Sequence, residues 1–185
     1  MNKQSKKIYG LFARYFAILL VGMGNLYIIY KLLTPLTIYT LNAIVSIFTT
    51  TTLADNIIYL NSCTQIEIVP ACVAGAAFYL LFFLVLSSAD VKPEMRAKAV
   101  LTAFVMFFAL NLVRILILIP MIDTSYFATV HWIFWHIIST IFVVGVWFSV
   151  VKIYKIKSIP IYSDLKYIKS LMNPVKKSKR KNKHK

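Results

Sequence analysis

Residues 97–119 read AKAVLTAFVMFFALNLVRILILI. Beyond Lys98, the only ionisable side chain in the run is Arg114. A helix rises about 1.5 Å per residue, so a run of this length crosses roughly 30 Å of hydrocarbon. Two more such runs flank it, residues 71–89 and 132–151. A fourth lies near the start, residues 8–30, interrupted by Arg14 and the polar patch Gly22-Met23-Gly24-Asn25. It is too long for a signal peptide and carries no small-residue cleavage site, so a retained helix is expected. Of the 185 residues, 59% are hydrophobic and the mean hydropathy is +0.74. A soluble domain of this length has no interior large enough for that much apolar surface.

Between the first and second spans the pattern changes. Thr34-Pro35 reads as a helix start, and residues 36–53 as an amphipathic stretch that is an interfacial or re-entrant helix or a weak span. Residues 56–69 read as strand, turn and strand: Ile57 to Leu60, a turn around Asn61 to Thr64, then Ile66 to Val69. An open hairpin leaves backbone groups unpaired, which hydrocarbon does not tolerate, so the hairpin belongs at the water-facing surface. The expected fold class is an all-α polytopic membrane protein. It has four transmembrane helices, an amphipathic or re-entrant helix and a short extracellular β-hairpin. One membrane domain covers residues 1–151, with its core at 57–151, and a basic cytoplasmic tail covers 152–185.

The formal net charge is +15, but it is concentrated. Twelve of the 21 Lys and Arg lie in residues 152–185, and Lys3, Lys6 and Lys7 lie at the start. Residues 32–70 and 120–131 contain no Lys or Arg. The positive-inside bias therefore puts both termini and the Lys92 loop in the cytoplasm, and the hairpin and the Asp123 loop outside. The basic tail suits anionic lipid. No aromatic or Gly-rich pattern accompanies it, so nucleic acid is not expected as a partner.

An ionisable group inside a span is costly and usually functional. Arg114 lies roughly 7–8 Å below the outer end of its span, and His136 about 6 Å below the outer end of the next. Cys72 opens the span that follows Pro70. The three residues therefore share a depth. A helix N-terminus lowers a thiol pKa, a guanidinium stabilises a thiolate or an oxyanion, and a histidine moves protons near neutral pH. This predicts acyl transfer with Cys72, Arg114 and His136 as catalytic residues. Asn111, one turn deeper than Arg114, is placed to bond it or a substrate carbonyl. His131 competes with His136, being nearer the surface. A disulfide between Cys63 and Cys72 would remove the nucleophile. No metal or cofactor is expected.

These residues carry a resemblance. Ala71-Cys72-Val73-Ala74-Gly75, then Asn111-Leu112-Val113-Arg114, then His136-Ile137-Ile138-Ser139 after Phe134-Trp135 form an ordered set. It resembles that of the exosortase/archaeosortase family, and a compact, Lys-rich chain suits an archaeal member. The resemblance implies a membrane thiol protease or transpeptidase for protein sorting, in the plasma membrane with its site on the extracellular side. It implies substrates that are membrane-anchored proteins with a C-terminal signal: a short motif, an apolar helix and a basic tail. The new carboxyl end would pass to a lipid acceptor. It also implies Cys72 as nucleophile, Arg114 as transition-state stabiliser and His136 as proton donor, with Gly75 supporting. Val73 directly after the cysteine departs from the family pattern. A second reading is a non-enzymatic membrane scaffold or assembly partner in which Arg114 pairs with a partner's acid.

Overall fold

The computed structural model describes residues 3–24, 26–61, 64–89, 91–156 and 160–172. Cys63 and the end of the tail lie outside them.

The chain is mostly helical, with one small sheet. Helix α1 covers Lys3–Gly22 and α2 covers Tyr27–Val45. The sheet follows as β1 Thr51–Ala54, β2 Ile57–Leu60 and β3 Thr64–Glu67. One helical turn, α3 Pro70–Val73, leads into α4 Gly75–Leu86. Then come α5 Pro93–Leu118, a tight turn at Ile119–Met121, and α6 Phe127–Ile133. A wide π turn at Phe134–Ile138 joins α6 to α7 Ser139–Ile153, and α8 Tyr162–Met172 comes last.

Three helices are long and apolar enough to cross a membrane: Tyr27–Val45, Pro93–Met121 and Phe127–Ile153. Ile8–Gly22 and Pro70–Leu86 are apolar but shorter. Their outer faces are apolar too. Leu101, Val105, Val113 and Ile117 are exposed along α5, and Ile141, Val144 and Phe148 along α7. Continuous apolar rows of this kind are rare on proteins that meet water on all sides.

The N-terminal helices differ from the sequence expectation. The first helix ends at Gly22, not near Tyr30, because Gly24 and Leu26 take left-handed backbone conformations (φ 69° and 61°). The Gly-rich patch is therefore a true break. The second helix starts at Tyr27 and runs through Thr34-Pro35, so Pro35 lies inside it and does not open a new helix. Proline removes one backbone donor there. Within the same helix the buried Thr37 hydroxyl donates to the Leu33 carbonyl at 2.8 Å.

The predicted hairpin is present as β2 and β3, in register Ile58 opposite Ile66, and β1 adds a third antiparallel strand. Ala54 pairs with Ile57 across a two-residue turn, in which Asp55 takes positive φ. Ile58, Ile66 and Ile68 turn inward and join the helical core. The sheet therefore rests on the bundle.

Helix α5 is the centre of that core. Ala99, Ala103, Phe107, Asn111 and Ile115 are all buried at intervals of four, one face of a helix. Phe78 of α4 meets Phe104 and Phe107 edge-on, at 5.2 and 4.9 Å between centroids. Helices α4 and α7 both pack on α5. Helix α1 runs antiparallel to α4: Arg14 reaches the Leu86 and Ser88 carbonyls, while Ile18 accepts from the Tyr79 hydroxyl.

The packed body does not stop at residue 151. Ile156 belongs to the core, and α8 is fastened by Asp164, which is 4% exposed. Its carboxylate pairs with Arg14 at 3.0 Å and accepts from the Tyr15 hydroxyl at 3.2 Å. The expected tail boundary therefore falls inside packed structure.

Candidate active site

The sequence Val69-Pro70-Ala71-Cys72-Val73-Ala74-Gly75 folds as one turn and a break. Pro70 sits in the first turn with its φ preset. Ala74 then takes left-handed backbone angles (φ 57°, ψ 40°), and its N–H closes the turn on the Pro70 carbonyl at 3.2 Å. A non-glycine residue there is strained. The long helix α4 thus begins after Cys72, not before it. This corrects the expectation that a helix N-terminus activates the thiol. Cys72 lies near the C-terminal end of a single turn, where the carbonyls are orphaned and the partial charge is negative.

Two side chains of α5 meet those carbonyls. Asn111 donates to the Cys72 carbonyl at 2.8 Å. Arg114 Nη2 donates to the Ala71 carbonyl at 3.1 Å and lies 3.4 Å from that of Cys72. Arg114 Nη1 donates to Ser139 Oγ at 2.7 Å. Asn111 therefore bonds the backbone of the candidate nucleophile, not Arg114. Hydrogen bonds to a charged donor contribute about 1.5–3 kcal/mol each, so Arg114 ties α3 to α7 firmly.

Arg114 is 2% exposed. The single salt bridge among the described residues is Arg14–Asp164, so Arg114 is a buried cation bonded only to neutral groups. Its Nε–H has no partner among the described residues. A buried charge without a counter-charge is expensive, and an anion brought beside it gains correspondingly.

Ser139 depends on the π turn. Its hydroxyl donates to the Phe134 carbonyl five residues back, at 2.9 Å. The wide turn offsets the helical register and brings Ser139 to Arg114. Such turns often occur at functional sites. Ser139 stands in the quoted motif, yet its role as a guanidinium partner was not foreseen.

Cys72 is a free thiol. It lines a cavity of about 230 Å³ together with Arg114, His131, Phe127 and the β3 residues Gln65 and Glu67. The sheet forms one wall of the cavity and the start of α6 another. His131 stacks flat on Phe127, with centroids 5.6 Å apart.

His136 is not among the lining residues. Its Nδ1 bonds the Trp132 carbonyl at 3.0 Å, and its ring lies against Trp132 and Trp135 on an exposed face. The structure therefore brings Cys72, Arg114 and His131 together and leaves His136 apart. Glu67 is a cavity residue that the sequence reading did not single out. Its alternation with Ile66 in the predicted strand is the signal that marks it as the outward residue of the pair.

No family model, curated protein or solved structure matches this chain.

Gly75 serves packing. A Cβ at this position would lie 2.7 Å from the Tyr30 ring. Gly75→Ala is expected to destabilise the protein by about 1–3 kcal/mol through overpacking. A thermal melt in detergent checks this, and the cost should shrink in a Tyr30→Ala background. Equal costs in both backgrounds would show that the Tyr30 contact is not the cause.

Proposed function

We propose that this protein is a membrane-embedded cysteine peptidase or transpeptidase acting on the C-terminal sorting signal of surface proteins. The observation that carries the reading is the shared cavity. A free thiol, a buried guanidinium with an unpartnered N–H, and an imidazole line one space beneath a small sheet.

In this reaction the Cys72 sulfur attacks the scissile carbonyl carbon. Arg114, which lines the cavity, offers its charge to the oxyanion. The thiol proton passes to His131 and then to the leaving amine as the C–N bond breaks. A thioester remains on Cys72. Water or an acceptor nucleophile, such as a lipid hydroxyl, attacks it and yields its proton to His131, and the thiol is restored. The activation expected from a helix N-terminus is here assigned to Arg114.

The topology proposed with this activity has four crossings: α1 with the first turn of α2, then α3–α4, α5, and α6–α7. The Tyr30 contact at Gly75 supports the first, since α2 reaches the start of α4 within one turn of its own beginning. The sheet and the cavity then face outward, and the Arg14 end lies at the cytoplasmic leaflet. A substrate with its own apolar helix reaches such a cavity sideways, through lipid.

The test is to trap the intermediate. The full chain is co-expressed with a surface protein ending in a short motif, an apolar helix and Lys/Arg. Intact mass after acid quench should show a covalent adduct on the enzyme that hydroxylamine removes. Absence of any adduct while the substrate is still processed would reject the thioester route.

A further inference from the structure

At the opposite end of the bundle, two guanidinium groups converge on one oxygen. Arg14 Nη1 and Arg96 Nη2 both donate to the Ser88 carbonyl, at 3.2 and 2.9 Å. Two cations sharing a carbonyl repel each other unless an anion lies nearby. Among the described residues Asp164 supplies one negative charge, and it is paired with Arg14. Arg96 keeps a buried Nε–H with no partner among the described residues. Counted over the described residues, the cluster therefore carries an excess of one positive charge.

The same two arginines line a cleft of about 500 Å³ between α1, α4 and α5. Its remaining walls are apolar, including Ala97, Val100, Leu101 and Phe104. Leu101 is 65% exposed, so the cleft opens on the apolar flank of the bundle and not on its end. From Arg96 to Phe104 the helix rises about 12 Å. A cationic head with an apolar trough of that length matches one chemical class: a phosphate ester carrying an acyl chain.

We infer that this cleft is a specific binding site for an anionic glycerophospholipid. Its phosphate lies on Arg96 and Arg14, and an acyl chain runs along Val100, Leu101 and Phe104. The excess charge counted over the described residues is neutralised. The site is distinct from the diffuse attraction of the basic tail for anionic membranes, and it does not depend on the peptidase reading. It joins α1, α4 and α5 at the point where Asp164 fastens α8, so the bound lipid also clamps the terminal helix.

The test is native mass spectrometry of the full chain in detergent. The probes are palmitoyl-oleoyl phosphatidylglycerol, palmitoyl-oleoyl phosphatidylcholine and inorganic phosphate. One phosphatidylglycerol per chain should be retained, with at least about fivefold less phosphatidylcholine and no phosphate. R96Q should lose the adduct by a similar factor, and R96K should keep it. A97F, which fills the trough without touching the charges, should lose it while far-UV circular dichroism stays unchanged. A chain carrying K176Q, K177Q and K179Q should retain it. Retention by both R96Q and A97F, equal retention of phosphatidylcholine, or loss only in the tail variant would overturn the site. Retention of inorganic phosphate in place of lipid would reduce it to an anion site and overturn it as well.

Discussion

Under the proposed function, Cys72→Ala should abolish processing of a co-expressed substrate, with a loss on the order of 10³-fold or more, while the protein still folds. The size follows from the role. A nucleophile that forms the covalent intermediate has no substitute when its sulfur is removed. The fold should survive because the side chain makes no hydrogen bond that holds the site together. The contacts made by Asn111 and Arg114 go to the backbone carbonyls of Ala71 and Cys72, which alanine keeps. The measurement is the ratio of precursor to mature substrate on a gel, with a melt of the purified variant alongside. Wild-type processing by Cys72→Ala would reject the enzyme reading in favour of a scaffold, in which Arg114 matters and Cys72 does not.

The second large effect separates the two histidines. His131→Asn should slow processing by about 10²–10⁴-fold, the usual contribution of a positioned acid or base. His136→Asn should leave the rate within a few-fold of wild type. Only His131 lines the cavity with Cys72. His136 is held on an exposed face by its own helix and two tryptophans. Processing rates of both variants decide the matter. The opposite pattern would move the proposed acid–base role to His136 and require the π turn at Phe134–Ile138 to rearrange.

The histidine pair shows where sequence reasoning ends. His131 and His136 are five residues apart, which on an α-helix is a rotation of roughly 140°. Only one of them can face a given neighbour. Depth along the helix was legible, but azimuth was not. Azimuth here depends on the π turn at Phe134–Ile138, a register change that no propensity in FWHII announces. The break at Gly24 is a different case. Its signal, a Gly-Met-Gly-Asn patch, was visible, yet the apolar run on both sides outweighed it. Pro35 misled in the opposite direction, because the helix Tyr27–Val45 runs through it despite the missing donor, with Leu33, Thr37 and Ile38 buried on either side.

By itself the sequence determined the apolar helices, the hairpin between them, and a cysteine and an arginine that meet at one level. These rest on composition and on period along the chain, which are local properties. Tertiary structure alone decided what those residues touch. It set Cys72 at the end of a one-turn helix and turned Arg114 from a free charge into a buried clamp on the Ala71 carbonyl and Ser139. It also set His131 on the cavity in place of His136. The pairing of Arg14 and Arg96 on the Ser88 carbonyl belongs to the same class. The physical reason is common to all of them. Hydrophobic period says which side of a helix turns inward, but only the packing of α3, α5 and α7 says what that side meets.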